Sequence, residues 1–300
     1  MNKLAIRLPA LAIAKPSERA AALMISQLLA VIGWGITMQI RVQALAPAWI
    51  DQQNIFMPAA RHVADPYQIG WYTNPPWAAL MLAPFGLLPL PVATLLQICL
   101  YFAILTLVIF KSGGGLKAVL ITLTSFVALD SAIELNIDWL VALGLLVPPT
   151  WSGPLLLVKP QVAPGYWLSF KPRQLIYSAG VLAAVLLVSL LVWPGWPQAM
   201  RDAAAPLTER SHNLAPMSVL PPVISLAIGA ALAWRAIRRH DLVVGILAGL
   251  FFVPYIAFYS LLIPFALSAV RWPRITLLIS VVMWVIYGGL LGYALLHIAR

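Results

Sequence analysis

The chain reads as an all-α, polytopic transmembrane helix bundle, and three observations predict that class. Of 300 residues, 62% are hydrophobic and only 9% are charged, whereas a soluble domain carries roughly 25% charged residues. Mean hydropathy is +0.92, and apolar runs recur at about the 20-residue length that crosses a bilayer. The basic residues collect in the short stretches between those runs, the arrangement that orients membrane proteins. Allowing for loops, the chain has room for about 8 to 11 membrane segments in one integral domain, 1–300, with no separate soluble module. The formal net charge of +10 then belongs to orienting loops, and no nucleic-acid partner is expected.

In chain order, residues 2–15 alternate basic and apolar side chains and are expected to lie on the cytoplasmic surface. The run that follows is long enough to span, so it reads as an uncleaved first helix and not as a removed signal. Strong spans are expected at 20–46, 91–110, 174–194, 216–236 and 273–297, and weaker apolar pieces at 118–133, 137–149, 153–170 and 242–270, the last long enough for two crossings. Basic clusters stand at Lys3/Arg7/Lys15/Arg19, Lys111/Lys117, Lys171/Arg173, Arg235/Arg238/Arg239 and Arg271/Arg274. All of them fall on the cytoplasmic side if two pieces do not cross. The stretch 77–90, with Pro84 and Pro89, must be interfacial or re-entrant, because proline breaks a helix interior. The stretch 153–170 must enter and leave as two short helices around Lys159-Pro160. Asp51, Asp65, Asp130, Glu134, Asp138, Asp202 and Glu209 then gather towards the other face, leaving Glu18 and Asp241 inside. Acids contribute little to orientation, so their segregation points to a polar working surface outside the cytoplasm. The expected setting is a bacterial plasma membrane, with the N-terminus cytoplasmic.

The polar island at 48–91 follows the first span directly. Asp51, beside Trp49 at the membrane edge, is partly desolvated, which suits a general base; a helix N-cap is the plainer role. Ala64-Asp65-Pro66-Tyr67 reads as a turn, and the aromatics Tyr67, Trp71, Tyr72 and Trp77 fit either an interfacial belt or stacking on a substrate. Glu134, Asn136 and Asp138, spaced two apart between apolar pieces, face protein or substrate and not lipid. Lys159 interrupts apolar sequence next to Pro160, where it either snorkels or binds an anion beside freed helix amides. The longest polar loop, 195–215, offers Arg201, Arg210 and His212 for a phosphate. Cys99, the one cysteine, forms no intramolecular disulfide and reads as small-residue packing. No nucleotide-binding, nucleophile-elbow, haem or cysteine-based metal motif is present, and no metal or cofactor is expected.

The order Trp49-x-Asp51, Asp65-Pro66-Tyr67, Tyr72-x-Asn74-Pro75-Pro76, then Pro84, Leu88-Pro89 and Ala93, resembles the first extracytoplasmic loop of GT-C glycosyltransferases. It is most similar to the polyprenyl-phosphate-mannose-dependent group that extends phosphatidylinositol mannosides. Glu134-Leu135-Asn136 and Lys159-Pro160 resemble two later elements of that group. The match is good over about 45 residues, looser over 120–165 and weak beyond. Phe56 stands where the family has tyrosine, and Glu134-Leu135 replaces a glycine-glutamine pair.

The resemblance implies a large first extracytoplasmic loop with Asp51 as catalytic base. It also implies a polyprenyl-phosphate sugar donor, mannose above all, a lipid or glycan acceptor, and inverting transfer. Lys159, Arg61, Asp65, Tyr67, Tyr72, Asn74, Glu134, Asn136, Asp138, Arg210 and His212 are the expected substrate-binding set. Two other readings remain open at this level: a lipid or small-solute transporter or flippase built on Lys159 and Asp138, and an inactive GT-C-like scaffold. No internal repeat is visible, whereas many transporters show one.

Overall fold

The structure is a computed structural model and describes residues 16–45, 47–162, 164–204 and 213–290. Expectations for residues 2–15, Arg210 and His212 lie outside these. The described residues are helical, with no strand among them.

The first long helix, α1 (Pro16–Val42), runs antiparallel to α4 (Leu90–Lys111). Trp34 Nε1 donates to Pro91 O at 3.0 Å, Gln27 Nε2 to Cys99 O at 3.1 Å, and the Arg19 guanidinium lies 5.8 Å from the Phe110 ring centre. The polar island fills the gap between them with short pieces. Residues 50–61 form one helical segment, widened by a π turn over Gln52–Phe56 and ending as α2 (Met57–Arg61). After a 3₁₀ turn at Pro66–Gln68 comes α3 (Pro76–Gly86). At 11 residues α3 is about 16 Å long, half of a hydrocarbon core, so it does not cross. The length agrees with the reading of 77–90 as a non-crossing piece, but Pro84 lies inside the helix and does not break it.

Beyond α4, α5 (Leu116–Leu123) and α6 (Phe126–Glu134) form one apolar path bent by 58°. Ser125 caps α6 by accepting from Ala128 N at 3.2 Å, and Trp284 Nε1 donates to Thr124 O at 2.8 Å. The break therefore leaves few polar groups unpaired, as apolar surroundings require. Then α7 (Asp138–Leu146) and α8 (Pro149–Leu157) make a half-length hairpin. Lys111 Nζ donates to the α7 carbonyls of Leu145 and Leu146 at 2.9 Å each, a cation on the negative end of a helix.

After a 3₁₀ turn at Pro164–Ser169, α9 (Pro172–Val192) returns along α8, and α10 (Trp196–Ala204) follows it and packs against the 3₁₀ turn at Pro66–Gln68. The chain then forms α11 (Pro216–Val219), α12 (Pro222–Arg239), a second short hairpin α13 (Leu242–Leu250) and α14 (Leu262–Arg271), and α15 (Pro273–Met283). The 3₁₀ turn sits against α13 so closely that a methyl on Gly165 would fall 1.6 Å from Gly245 O. Only glycine permits that approach.

Among the described residues three helices, α1, α4 and α9, are long and apolar enough to cross a membrane, or four if α5 and α6 count as one bent span. The protein is thus membrane-embedded; in place of the expected 8 to 11 segments the described residues show these candidate spans, the 18-residue α12 and shorter pieces. One physical reason is proline: Pro221-Pro222 separates α11 from α12 inside an apolar run that composition alone reads as continuous. The expected span 216–236 begins only at Pro222, 242–270 is two helices of 9 and 10 residues, and the end of 273–297 lies outside the described residues.

The two ends of the bundle differ. Glu18 Oε1 accepts from Leu116 N at 3.2 Å, and Asp241 meets Arg271 at 3.8 Å. At the opposite end Trp193 Nε1 donates to Val63 O at 2.9 Å, and Asp51, Asn136, Lys159 and Tyr259 assemble there.

Candidate active site

The end of α6 anchors the site. Leu135 closes that helix at φ 44°, its amide donating to Ser131 O at 3.0 Å. A leucine in the left-handed region costs about 1–2 kcal/mol, offset here by complete burial of its side chain. Trp49, also left-handed at φ 57°, binds the carbonyls left over at the same helix end: its amide donates to Ile133 O at 2.7 Å and its indole to Ala132 O at 3.2 Å. Arg41 supports the turn, donating to Ala48 O at 2.9 Å with its guanidinium 5.7 Å from the Trp49 ring centre. One helix end therefore positions both Asp51, two residues after Trp49, and Asn136, one residue after Leu135.

Asp51 makes no helix-capping hydrogen bond. Its Oδ2 accepts from Asn136 Nδ2 at 3.0 Å, and the same amide donates to the Tyr259 hydroxyl at 3.0 Å. Asn136 Oδ1 accepts from Ile137 N at 2.8 Å, which fixes the amide's orientation. The capping role that loop sequence allows is thus not the one adopted. The π turn directly after Asp51 fits the habit of such turns to accompany special sites in helices.

Lys159 and Asp138 form a buried ion pair at 3.0 Å, with the two ends of the α7–α8 hairpin held together by it. Ser260 Oγ accepts from Lys159 Nζ at 3.1 Å and lies 3.4 Å from Asp138 Oδ1, and the Tyr259 ring centre is 4.5 Å from Nζ. Removing two such charges from water costs several kcal/mol per ion; the close contact, the serine and the aromatic face offset that cost. Asn74 Nδ2 donates to Val158 O at 2.9 Å and so holds the turn before Lys159.

A cavity of about 290 Å³ joins these groups, at the lower end of ligand pockets, which run from about 300 to 1,000 Å³. Asp51, Asn136, Lys159, Asn74 and Tyr259 line its polar side; Trp196, Met200, Phe56, Ile55 and Leu157 line its apolar side. The buried indole Nε1 of Trp196 has no hydrogen-bond partner among the described residues. Trp71, left-handed at φ 73°, stands half exposed at the rim.

Of the expected binding set, Lys159, Asn74 and Asn136 meet Asp51 at this cavity. Asp138 lies behind Lys159 as its counter-ion. Tyr67 and Tyr72 do not line the cavity: their hydroxyls donate to Asn74 O at 2.8 Å and Pro75 O at 3.0 Å, tying down the Asn-Pro-Pro turn. Burial raises the Tyr67 hydroxyl's pKa well above its ordinary value, so it stays a neutral donor. Asp65 is exposed and accepts from Gln68 Nε2 at 3.0 Å, a loop corner. Arg61 points elsewhere, its Nε donating to Gly86 O at 2.8 Å beside a shallow groove with Val63 and Leu87. Glu134 is half-buried and is not among the cavity-lining residues.

Sequence reasoning missed Tyr255, Tyr259, Ser260 and Trp196. The signal for the first three was available: Pro254-Tyr255 and Phe258-Tyr259-Ser260 interrupt the apolar stretch 242–270 with polar aromatics, much as the first loop does. No group of His, Cys, Asp or Glu suited to holding a metal occurs among the described residues. No family model, curated protein or solved structure matches the chain.

Proposed function

We propose that the chain is a membrane glycosyltransferase of the GT-C kind, moving a sugar, mannose above all, from a polyprenyl phosphate to a hydroxyl on a lipid or glycan acceptor. The observation that carries this reading is that Asp51 and Lys159, 108 positions apart in sequence, line one cavity. A carboxylate held by one amide and open to the cavity suits a base. A cation across the same cavity suits a leaving phosphate.

In the reaction the acceptor oxygen attacks the anomeric carbon while its proton passes to Asp51. The bond from that carbon to the phosphate oxygen breaks, and the polyprenyl phosphate leaves with the bonding electrons. Attack opposite the leaving group inverts the configuration. Lys159 shares its charge with Asp138, yet an ammonium has three N–H groups. With Asp138 and Ser260 taking two, one is left for a phosphate oxygen. A preorganised donor at such a developing charge is worth a few kcal/mol in a water-poor site. The apolar wall of Ile55, Phe56, Leu157 and Met200 suits the start of a prenyl chain. The segregation of acids favours an extracytoplasmic orientation of this end, with the N-terminus cytoplasmic.

One feature favours a second reading, a lipid or solute transporter: the buried Lys159–Asp138 pair closes a hairpin of short apolar helices, and paired charges at membrane depth mark substrate or ion pathways. Purified protein in nanodiscs, given labelled polyprenyl-phosphate-mannose and membrane lipid, separates the readings. Sugar transfer supports the enzyme. Donor movement across liposomes without transfer supports the transporter, and neither result supports an inactive scaffold.

A further inference from the structure

Tyr259 lies 123 positions from Asn136, outside every stretch that carries the family resemblance. An amide nitrogen only donates, so both contacts of Asn136 Nδ2 run outward, one to Asp51 Oδ2 and one to the Tyr259 oxygen, each 3.0 Å. The tyrosine therefore uses a lone pair on Asn136 and keeps its own proton, which it donates to no other group among the described residues. The ring is held by Lys159 on its face, and the Tyr259 carbonyl accepts from Ser131 Oγ at 2.8 Å. Tyr259 lines the cavity, and the contact from Asn136 fixes the position of its hydroxyl.

Two partners of one planar NH₂ group stand about 5 Å apart, and a single oxygen about 3 Å from each, on the side away from the amide nitrogen, spans that gap. We propose that Tyr259 is a catalytic residue that binds the acceptor hydroxyl: its O–H donates to the attacking oxygen while that oxygen's hydrogen points at Asp51. This inference rests on the glycosyl-transfer reading. The phenol keeps its proton throughout; the acceptor's proton goes to Asp51, and the electron pair of the broken bond leaves with the phosphate. Its contribution is orientation, turning the remaining lone pair of the acceptor towards the sugar.

The test is Tyr259→Phe, which keeps the ring on Lys159 and removes the donor, measured beside Asp51→Asn with labelled polyprenyl-phosphate-mannose. The expected result is a fall of about ten-fold in kcat/KM for the acceptor, the size of one hydrogen bond, with donor affinity within two-fold of wild type. A larger share of donor should also be lost to water, because the bulky acceptor is no longer aimed. If Asp51→Asn stops transfer while Tyr259→Phe keeps the wild-type acceptor kcat/KM and transfer-to-hydrolysis ratio, the role of Tyr259 is overturned and the transferase reading stands. An equal loss of donor affinity in Tyr259→Phe also overturns it. If the wild type transfers no sugar, the transferase reading falls and takes this role with it. Should Tyr259→Phe fail to fold, 4-fluorophenylalanine at 259 keeps the ring's size and its place on Lys159 while removing the O–H donor. The acceptor kcat/KM should then fall by about ten-fold, and a wild-type value overturns the role.

Discussion

The two site carboxylates, Asp51 and Asp138, occupy opposite situations. Asp51 is half-buried, accepts one hydrogen bond from Asn136 and faces the cavity. Asp138 is buried to 2% exposure and is closed off by Lys159 and Ser260. The cavity reaches the first, whereas the second is held by charge pairing and in turn sets the position of a cation. A polar residue in an apolar protein is costly in either case, so its presence alone does not separate the two roles; its partners do.

The sharpest way to break this comparison is Asp51→Asn. Loss of a general base costs about 10²–10⁴-fold, so sugar transfer should fall by at least about 100-fold. The carboxamide that replaces the carboxylate can still accept from Asn136, and thermal unfolding in detergent should be unchanged. Near-normal transfer in that variant would remove Asp51 as the base.

Lys159→Met should act on stability first, costing about 3–5 kcal/mol because it strands a buried carboxylate. Adding Asp138→Asn should recover most of that loss, as read from the midpoint of thermal unfolding. If the double variant is no more stable than the single, the pair is not the closed structural unit described above.

Asn136→Ala removes the hydrogen bond to the Asp51 carboxylate, a contact worth about 1.5–3 kcal/mol, together with its contacts to Tyr259 and to Ile137 N. Transfer should drop by about ten- to a hundred-fold, less than for Asp51→Asn, with donor binding retained. Asp65→Asn is the smallest case. That carboxylate lies in the same polar island but is exposed, with Gln68 as its contact, so stability should move by less than about 0.5 kcal/mol and transfer by less than two-fold. A large effect would show that Asp65 reaches substrate after all.

Much of the local structure was legible in residue order. Prolines mark the short α3 and the break at Lys159-Pro160, and both are present in the fold. The polar island was legible because a cluster of polar groups stands out against apolar surroundings. Its internal division was not. Asp65, Tyr67 and Tyr72 have the same composition as a binding loop, yet the tyrosines spend their hydroxyls on the backbone carbonyls of Asn74 and Pro75. Arg61 looked suited to a phosphate by charge, but the end of α2 aims it at Gly86. The described residues show fewer spans than hydropathy suggests, because hydropathy sums over a window and does not register that α12 starts only at Pro222.

By itself, then, the sequence determined that the protein is a membrane-embedded helical bundle, that it carries an acidic and aromatic loop after its first helix, and that Asp51 and Lys159 are unusual for their surroundings. Composition and proline decide these matters locally. Only the tertiary structure decided that Asp51, Asn136, Lys159 and Tyr259 share one cavity and that Asp138 belongs behind it. The partners lie 85, 123 and 21 positions apart. Hydrophobic periodicity tells which face of a helix is apolar, but not which distant turn will pack against its end. That choice was made at the C-terminus of α6, where the carbonyls of Ala132 and Ile133 had to find donors and found Trp49.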